Sequence, residues 1–199
     1  MAIRLTPETT ESRLFCCSKW WGNPDMPSNM EYPMIDGYPL TFLCQLDCED
    51  IAPFDPDGRL PHEGMLYVFA AVDEYLGYEI PHAPNCPGLW PQGRVVVKYV
   101  KQVNMETFES HILLDEEDQE ITEPPLLLRL GECPDDAGGL RLFGAATSPA
   151  AEAMDPDTFC LLHVESDDKL GLSFPGGGKL DILVPGSGWR QARGFLSVQ

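Results

Sequence analysis

The sequence is short of cations. Thirteen Lys and Arg stand against thirty-two Asp and Glu, a formal net charge of −19, and a surface that negative repels a phosphate backbone over a Debye length. Nucleic-acid binding is therefore not expected. Long apolar runs are missing too. The longest strongly apolar piece, about Met65 to Val72, has strand length, well below the roughly 18 residues that a membrane-spanning helix needs. The opening stretch, Met1 to Leu14, mixes arginine with glutamate and lacks the apolar core of a signal peptide, so export is not expected. The seven cysteines are an odd number, and Cys16 and Cys17 are adjacent, a pairing that rarely closes into an unstrained disulfide. Reduced thiols in a cytosol fit this usage.

What the chain does have is a globular composition: 199 residues, 43% hydrophobic and 23% charged, enough to bury a core without staples. Its 18 glycines and 19 prolines mostly punctuate short apolar runs, which suits many strands joined by turns. Strands are expected at Thr41–Leu46, Gly64–Ala71, Arg94–Val103, Ser110–Leu114, Gly139–Phe143, Phe159–Glu165 and Lys179–Val184, each rich in Val, Leu, Ile, Phe or Tyr. Helix signals are few. Thr6-Pro7-Glu8 places proline at a first helical position, although Glu8 falls one residue early for a capping box, so an extended alternative stays open. Ser148–Met154 is the second short candidate. Asn23–Pro39 and Asp55–Glu63 read as ordered loops, and the acidic run 115–120 as a solvated loop and boundary candidate. The fold class is α+β, mainly antiparallel β, in a single domain over 1–199.

An internal repeat organises this pattern. Phe42-Leu43-Cys44-Gln45-Leu46-Asp47-Cys48-Glu49-Asp50 lies over Cys160-Leu161-Leu162-His163-Val164-Glu165-Ser166-Asp167-Asp168 without a gap. Gln45 meets His163, and Asp47 meets Glu165. A glycine leads into the next strand in both places, at Gly64-Met65-Leu66 and Gly178-Lys179-Leu180. The spacing predicts internally duplicated strand–loop–strand units, about 12–114 and 126–199, burying one another's apolar faces.

Ser18-Lys19-Trp20-Trp21-Gly22-Asn23-Pro24, the later Tyr32-Pro33, the strand Pro39 to Asp47, and Leu161 to Asp168 followed by Gly176-Gly177-Gly178-Lys179 together resemble the YwqG-like family of uncharacterised bacterial proteins, a domain of unknown function. Trp21 stands where that family usually has the first of two glycines. Gly171-Leu172-Ser173-Phe174 occupies the region of a Trp-Gly-Asp step. The resemblance implies a mainly antiparallel β fold with an internal duplication. It supplies no catalytic residues.

Few motifs carry chemistry. Cys44 and Cys48 could begin a metal site that Cys86, Cys133, His62, His82 or His163 completes, but four residues along a strand span about 13 Å. No metal and no cofactor are expected. Phe174 to Lys179 lacks P-loop spacing, and Pro185-Gly186-Ser187-Gly188 lacks that of a nucleophile elbow. Alternate residues share a strand face, so His163 with Glu165, and Gln45 with Asp47, form matching polar pairs. They are either a solvent-facing polar stripe or an acid–base site in a groove between the repeats. Trp20, Trp21, Tyr32 and Tyr38 either line a binding surface or cap the core, and two adjacent tryptophans of an extended segment cannot both point inward. The leading expectation is a cytosolic, monomeric, protein-binding module of an immunity-like or regulatory kind that engages a basic partner, with no membrane role. The alternative is an enzyme with its site between the repeats.

Overall fold

Apolar runs of six or seven residues set between turns become the strands of one large sheet. The computed structural model describes residues 1–78, 87–186 and 188–198. In chain order the strands are β1 (Ala2–Glu8), β2 (Lys19–Trp20), β3 (Asp25–Pro27), β4 (Met34–Ile35), β5 (Tyr38–Pro39), β6 (Thr41–Asp47), β7 (Met65–Ala70) and β8 (Gly88–Leu89). They continue with β9 (Val95–Val100), β10 (Phe108–Ser110), β11 (Leu126–Cys133), β12 (Arg141–Leu142), β13 (Phe159–Glu165), β14 (Lys179–Val184) and β15 (Arg193–Ser197). The α-helices are short, α1 (Cys48–Ile51) and α2 (Ser148–Glu152).

Among the described residues, eleven strands form one sheet in the order β8-β15-β14-β13-β12-β1-β11-β2-β6-β7-β9, and every pairing is antiparallel. β9, at one end, touches β15 near the other, so the sheet curls around the main core. All six residues of β7 are buried, because both of its faces are covered. Leu66, Val68 and Ala70 face the main core, while Met65, Tyr67 and Phe69 pack outward against Met26, Leu40 and Phe108. On β14, Leu180, Ile182 and Val184 face the main core, and Leu183 joins a small outer cluster with Ala150 of α2, Cys160 and Phe195.

The two ends of the sheet have matching registers. β6 and β7 set Gln45 opposite Tyr67 and Asp47 opposite Met65, with an irregularity between Phe42 and Cys44. β13 and β14 set His163 opposite Asp181 and Glu165 opposite Lys179, with an irregularity between Cys160 and Leu162. β2 pairs Lys19 with Gln45, and β12 pairs Arg141 with His163. Just beyond those short strands, Trp21 and Phe143 take left-handed φ values of 58° and 61°, and their N–H groups donate to the carbonyls of Leu43 and Leu161. The glycines ahead of β7 and β14 are required by close approach. A Cβ on Gly64 would lie 2.2 Å from the Val100 carbonyl oxygen, and one on Gly178 2.6 Å from that of Ser197.

Two expectations change. The extended alternative holds for the first residues: Thr6-Pro7-Glu8 ends β1 rather than starting a helix. Ile3 and Leu5 are buried, and Pro7 sits beyond the Ile3–Arg4 reach of β12, where a strand with one neighbour tolerates a missing N–H. The strand expected at Ser110–Leu114 ends at Ser110 and begins earlier, at Phe108, which is the apolar residue of that segment that reaches a buried cluster.

β1 lies between β11 and β12 at the centre of the sheet, so both ends depend on it. Leu5→Ala is expected to cost about 2–5 kcal/mol. Deleting residues 1–8 is expected to abolish the cooperative transition in urea followed by tryptophan fluorescence. An unchanged transition in the shortened chain would show β1 to be dispensable.

Candidate functional site

Two buried polar networks lie on the outward faces of the sheet's two ends. The first centres on Asp25, which is 0% exposed. Its Oδ2 accepts from Lys19 Nζ at 2.7 Å, Gln45 Nε2 at 2.9 Å and the Cys16 N–H at 2.9 Å, and its Oδ1 accepts from the Ser110 hydroxyl at 2.6 Å. Its backbone N–H donates to Gln45 Oε1, and its carbonyl accepts from the Tyr67 hydroxyl at 2.7 Å. Lys19 gives a further hydrogen bond to the Leu14 carbonyl. Each partner is used within the protein, as a buried ion pair requires.

The second network centres on His163 and Asp181, which occupy the register positions of Gln45 and Tyr67. Asp181 Oδ1 lies 2.6 Å from His163 Nδ1, and Oδ2 accepts from both the N–H and the hydroxyl of Thr147 at 2.9 and 2.7 Å. Burial pushes the Asp181 carboxyl upward, but the hydrogen bonds from His163 and Thr147 outweigh it and hold the group below its usual value. An ionised Asp181 only accepts, so His163 Nδ1 is the donor in this contact, and Nε2 is directed toward Glu165. Glu165 Oε1 lies 3.5 Å from that nitrogen and accepts from Lys179 Nζ at 2.7 Å, while Oε2 takes the Gly139 N–H at 2.8 Å. Burial raises the Glu165 carboxyl, and the Lys179 and Gly139 contacts bring it below its ordinary value. A cavity of about 460 Å³ opens over this network, bordered by Arg141, Thr147, His163, Glu165, Lys179 and Ser197.

Several sequence expectations need correction against this geometry. His163 is 2% exposed, so it is no part of a solvent-facing stripe. His163 with Glu165 does not face Gln45 with Asp47 across a groove. β13 and β6 are five positions apart in the sheet, roughly 24 Å along it, and the two pairs belong to separate networks. Asp47 instead caps α1, accepting from the Glu49 N–H. Trp20 and Trp21 are both in the core, at 0% and 3% exposed, with ring centroids 5.0 Å apart. An extended chain would send two adjacent tryptophans to opposite faces, whereas the left-handed φ of Trp21 lets both turn inward. Tyr32 packs edge-on against Phe69 and donates to the Leu40 carbonyl, whereas Tyr38 is exposed. Cys44 and Cys48 are buried thiols, both raised by desolvation, Cys48 to about 12. His82, Cys86 and Ser187 lie outside the described residues.

Lys19, Asp25 and Tyr67, like Arg141, Thr147 and Asp181, were not singled out as site residues. The available signal was a charge inside an apolar strand, Leu180-Asp181-Ile182, since a carboxylate buried there needs dedicated partners.

The fold is therefore a mainly antiparallel β domain with paired outer-face polar networks. The chain belongs to the DUF1963 family, a domain of unknown function, whose family model matches residues 18–139. No curated protein matches the chain.

Asp25→Asn leaves Lys19 buried without its counter-charge and is expected to cost about 3–5 kcal/mol, measured by urea denaturation. The depressed carboxyls of Asp181 and Glu165 add stability that is complete above the usual carboxylate range and is lost as pH falls through it. Asp181→Asn is therefore expected to lower stability at pH 7 and to reduce the further loss on going to about pH 4. An acid-induced loss equal to that of the wild type would detach these groups from the effect. Asp47 and Asp73, raised by burial, act in the opposite sense.

Proposed function

We propose that the chain is a cytosolic protein-binding module that engages a basic partner through residues 103–121. The observation that carries this reading is a single segment in which exposed apolar side chains and carboxylates alternate without a cation. Val103, Met105, Ile112, Leu114 and Ile121 are 36–64% exposed. Between them lie Glu106, Glu109 and the acidic run 115–120, and no Lys or Arg occurs from Gln102 to Leu128. Exposed apolar groups concentrated in one place mark interaction surfaces, and surrounding carboxylates steer and select a cationic partner. The run 115–120 is an ordered turn, since Asp115 Oδ1 accepts from the N–H groups of Glu117 and Gln119, so the surface is held in shape before binding. Free thiols at Cys16, Cys17, Cys44, Cys48, Cys133 and Cys160 support a reducing compartment. The matching registers at the two ends of the sheet support descent from a duplicated unit.

The test is capture from the native host by the tagged wild type and by Ile112→Ser/Leu114→Ser, followed by reconstitution of the complex from purified components. The expected result is a stoichiometric basic protein whose affinity falls with salt and drops at least about tenfold in the double variant. A complex indifferent to salt, or one that the double variant binds equally well, would overturn the assignment.

A further inference from the structure

The curl of the sheet brings β9 against β15 but leaves a seam beside β9, whose only strand neighbour among the described residues is β7. The Ala71 N–H donates to the Arg94 carbonyl. The register then makes Val96 and Lys98 the residues of β9 that exchange hydrogen bonds with β7, and Val95, Val97 and Tyr99 turn their N–H and C=O groups to the other edge. Among the described residues those groups make no backbone hydrogen bond. The turn Trp189–Gln191 packs against β9. Between them runs a cavity of about 500 Å³, bordered by Val96 and Lys98 from one face of β9, by Val97 and Tyr99 from the other, and by Trp189 and Arg190 of the turn. A space lined by both faces of one strand follows that strand's edge.

The charge at this seam is opposite to that of the chain. Among thirty-two Asp and Glu, none occurs from Ile80 to Met105 or from Ile182 to Gln199, and these two segments hold Arg94, Lys98, Lys101, Arg190 and Arg193, five of the thirteen Lys and Arg. They are the segments that supply β9 and the turn packed against it. Lys101 pairs with Glu63, and Arg193 donates to the Trp90 carbonyl. Lys98 Nζ donates to the Glu31 carbonyl, which leaves two of its three N–H groups. Among the described residues neither Lys98 nor Arg190 forms an ion pair. Partial burial lowers the Lys98 ammonium below its ordinary value, and the Glu31 carboxylate does not offset this, so an added counter-charge stabilises it. A lysine in the middle of an edge strand resists pairing with another cationic edge. Two copies of β9 side by side would bring two sets of Arg94, Lys98 and Lys101 together. A small anion would leave the edge carbonyls unpaired, whereas an extended backbone supplies donors and acceptors at the spacing of the strand itself.

We propose that the open edge of β9 takes an extended acidic segment of a partner protein as a further antiparallel strand, with a carboxylate side chain opposite Lys98 and an apolar side chain on either side of it. In such a ladder the residues opposite Val97 and Tyr99 exchange hydrogen bonds with them, and the residue opposite Lys98 occupies a non-hydrogen-bonded pair, where side chains approach most closely. Its two neighbours point to the other face, where Val97 and Tyr99 join the main core. The seam does not include residues 103–121, and the proposal does not rest on that surface.

The test is titration of the ¹⁵N-labelled full chain with a capped pentapeptide that has glutamate at its centre, valine on either side and threonine at both ends. The expected result is saturable shifts of the Val97 and Tyr99 amides with slower hydrogen exchange at those two positions, while exchange at Val96 and Lys98, already bonded to β7, changes little. Glutamine in place of the glutamate is expected to weaken binding at least about threefold, and lysine further. Proline in place of one valine removes a ladder donor and is expected to weaken it at least about fivefold. In Lys98→Glu the order inverts, and the lysine peptide binds more tightly than the glutamate peptide. Ile112→Ser/Leu114→Ser is expected to bind the peptide as the wild type does. No saturable shift, equal affinity for the glutamate and lysine peptides, undiminished binding of the proline peptide, or the same shifts with sodium butyrate would overturn the proposal. Shifts of Val97 and Tyr99 that grow with protein concentration in the absence of peptide would overturn it in favour of a second copy. Should Lys98→Glu lose its dispersed spectrum, the peptide series on the wild type decides alone.

Discussion

The buried contact between Lys19 and Asp25 is the constraint on which much of the first half depends. Neither charge could leave water without full compensation. Compensation here draws on β2, β3, β6, β7 and β10 at once, through Lys19, Asp25, Gln45, Tyr67 and Ser110. Those strands are short or irregular, and β2 and β3 have two and three residues, too few to hold position by ladder hydrogen bonds alone. The polar network therefore sets where the Asn23–Pro39 loop lies on the sheet. That loop in turn contributes Met26, Met30, Tyr32 and Ile35 to the outer apolar cluster that includes Leu40, Phe42 and Phe69. At the other end the carboxylate is moved to β14, as Asp181, and the cation is Arg141, which spends itself on carbonyl oxygens. Among the described residues no comparable loop is drawn across, and a cavity of about 460 Å³ stays open there.

How much of this was legible in the sequence varies with the kind of interaction. β13 and β14 coincide with the expected strands because each is an apolar run bounded by turn residues. β6 differs from expectation by one residue at one end and β7 by one residue at each end. β11, β15 and β1 were not assigned. Leu126–Cys133 carries Arg129, Gly131 and Glu132, and β1 contains Pro7, so both break the pattern that marks a strand. They are strands because each has partners far away in sequence, which no local window contains.

The candidate site was legible only in part for the same reason. His163 and Glu165 stand two residues apart on one strand and could be paired by eye. Asp181 and Ser197 meet them only through the β13–β14–β15 register, Thr147 through the approach to α2, and Gly139 through the turn before β12. The matched family segment, residues 18–139, contains Lys19, Asp25, Gln45, Tyr67 and Ser110 of the Asp25 network but ends before His163. The two networks thus fall on opposite sides of the segment's boundary.

The crossing of β1 and β11 has a consequence for how the chain is made. Ala2 pairs with Cys133, and Arg4 with both Gly131 and Arg141, so β1 leaves the ribosome well before the strands at Leu126–Cys133 and Arg141–Leu142 that flank it. β2 likewise lacks one of its partners until Leu126 and Leu127 emerge. Contacts of such long sequence separation form slowly, and a nascent chain holding β6 and β7 without them exposes an unpaired edge. Vectorial synthesis thus leaves the sheet incomplete until β11 and β12 have been made, and its two halves then close together.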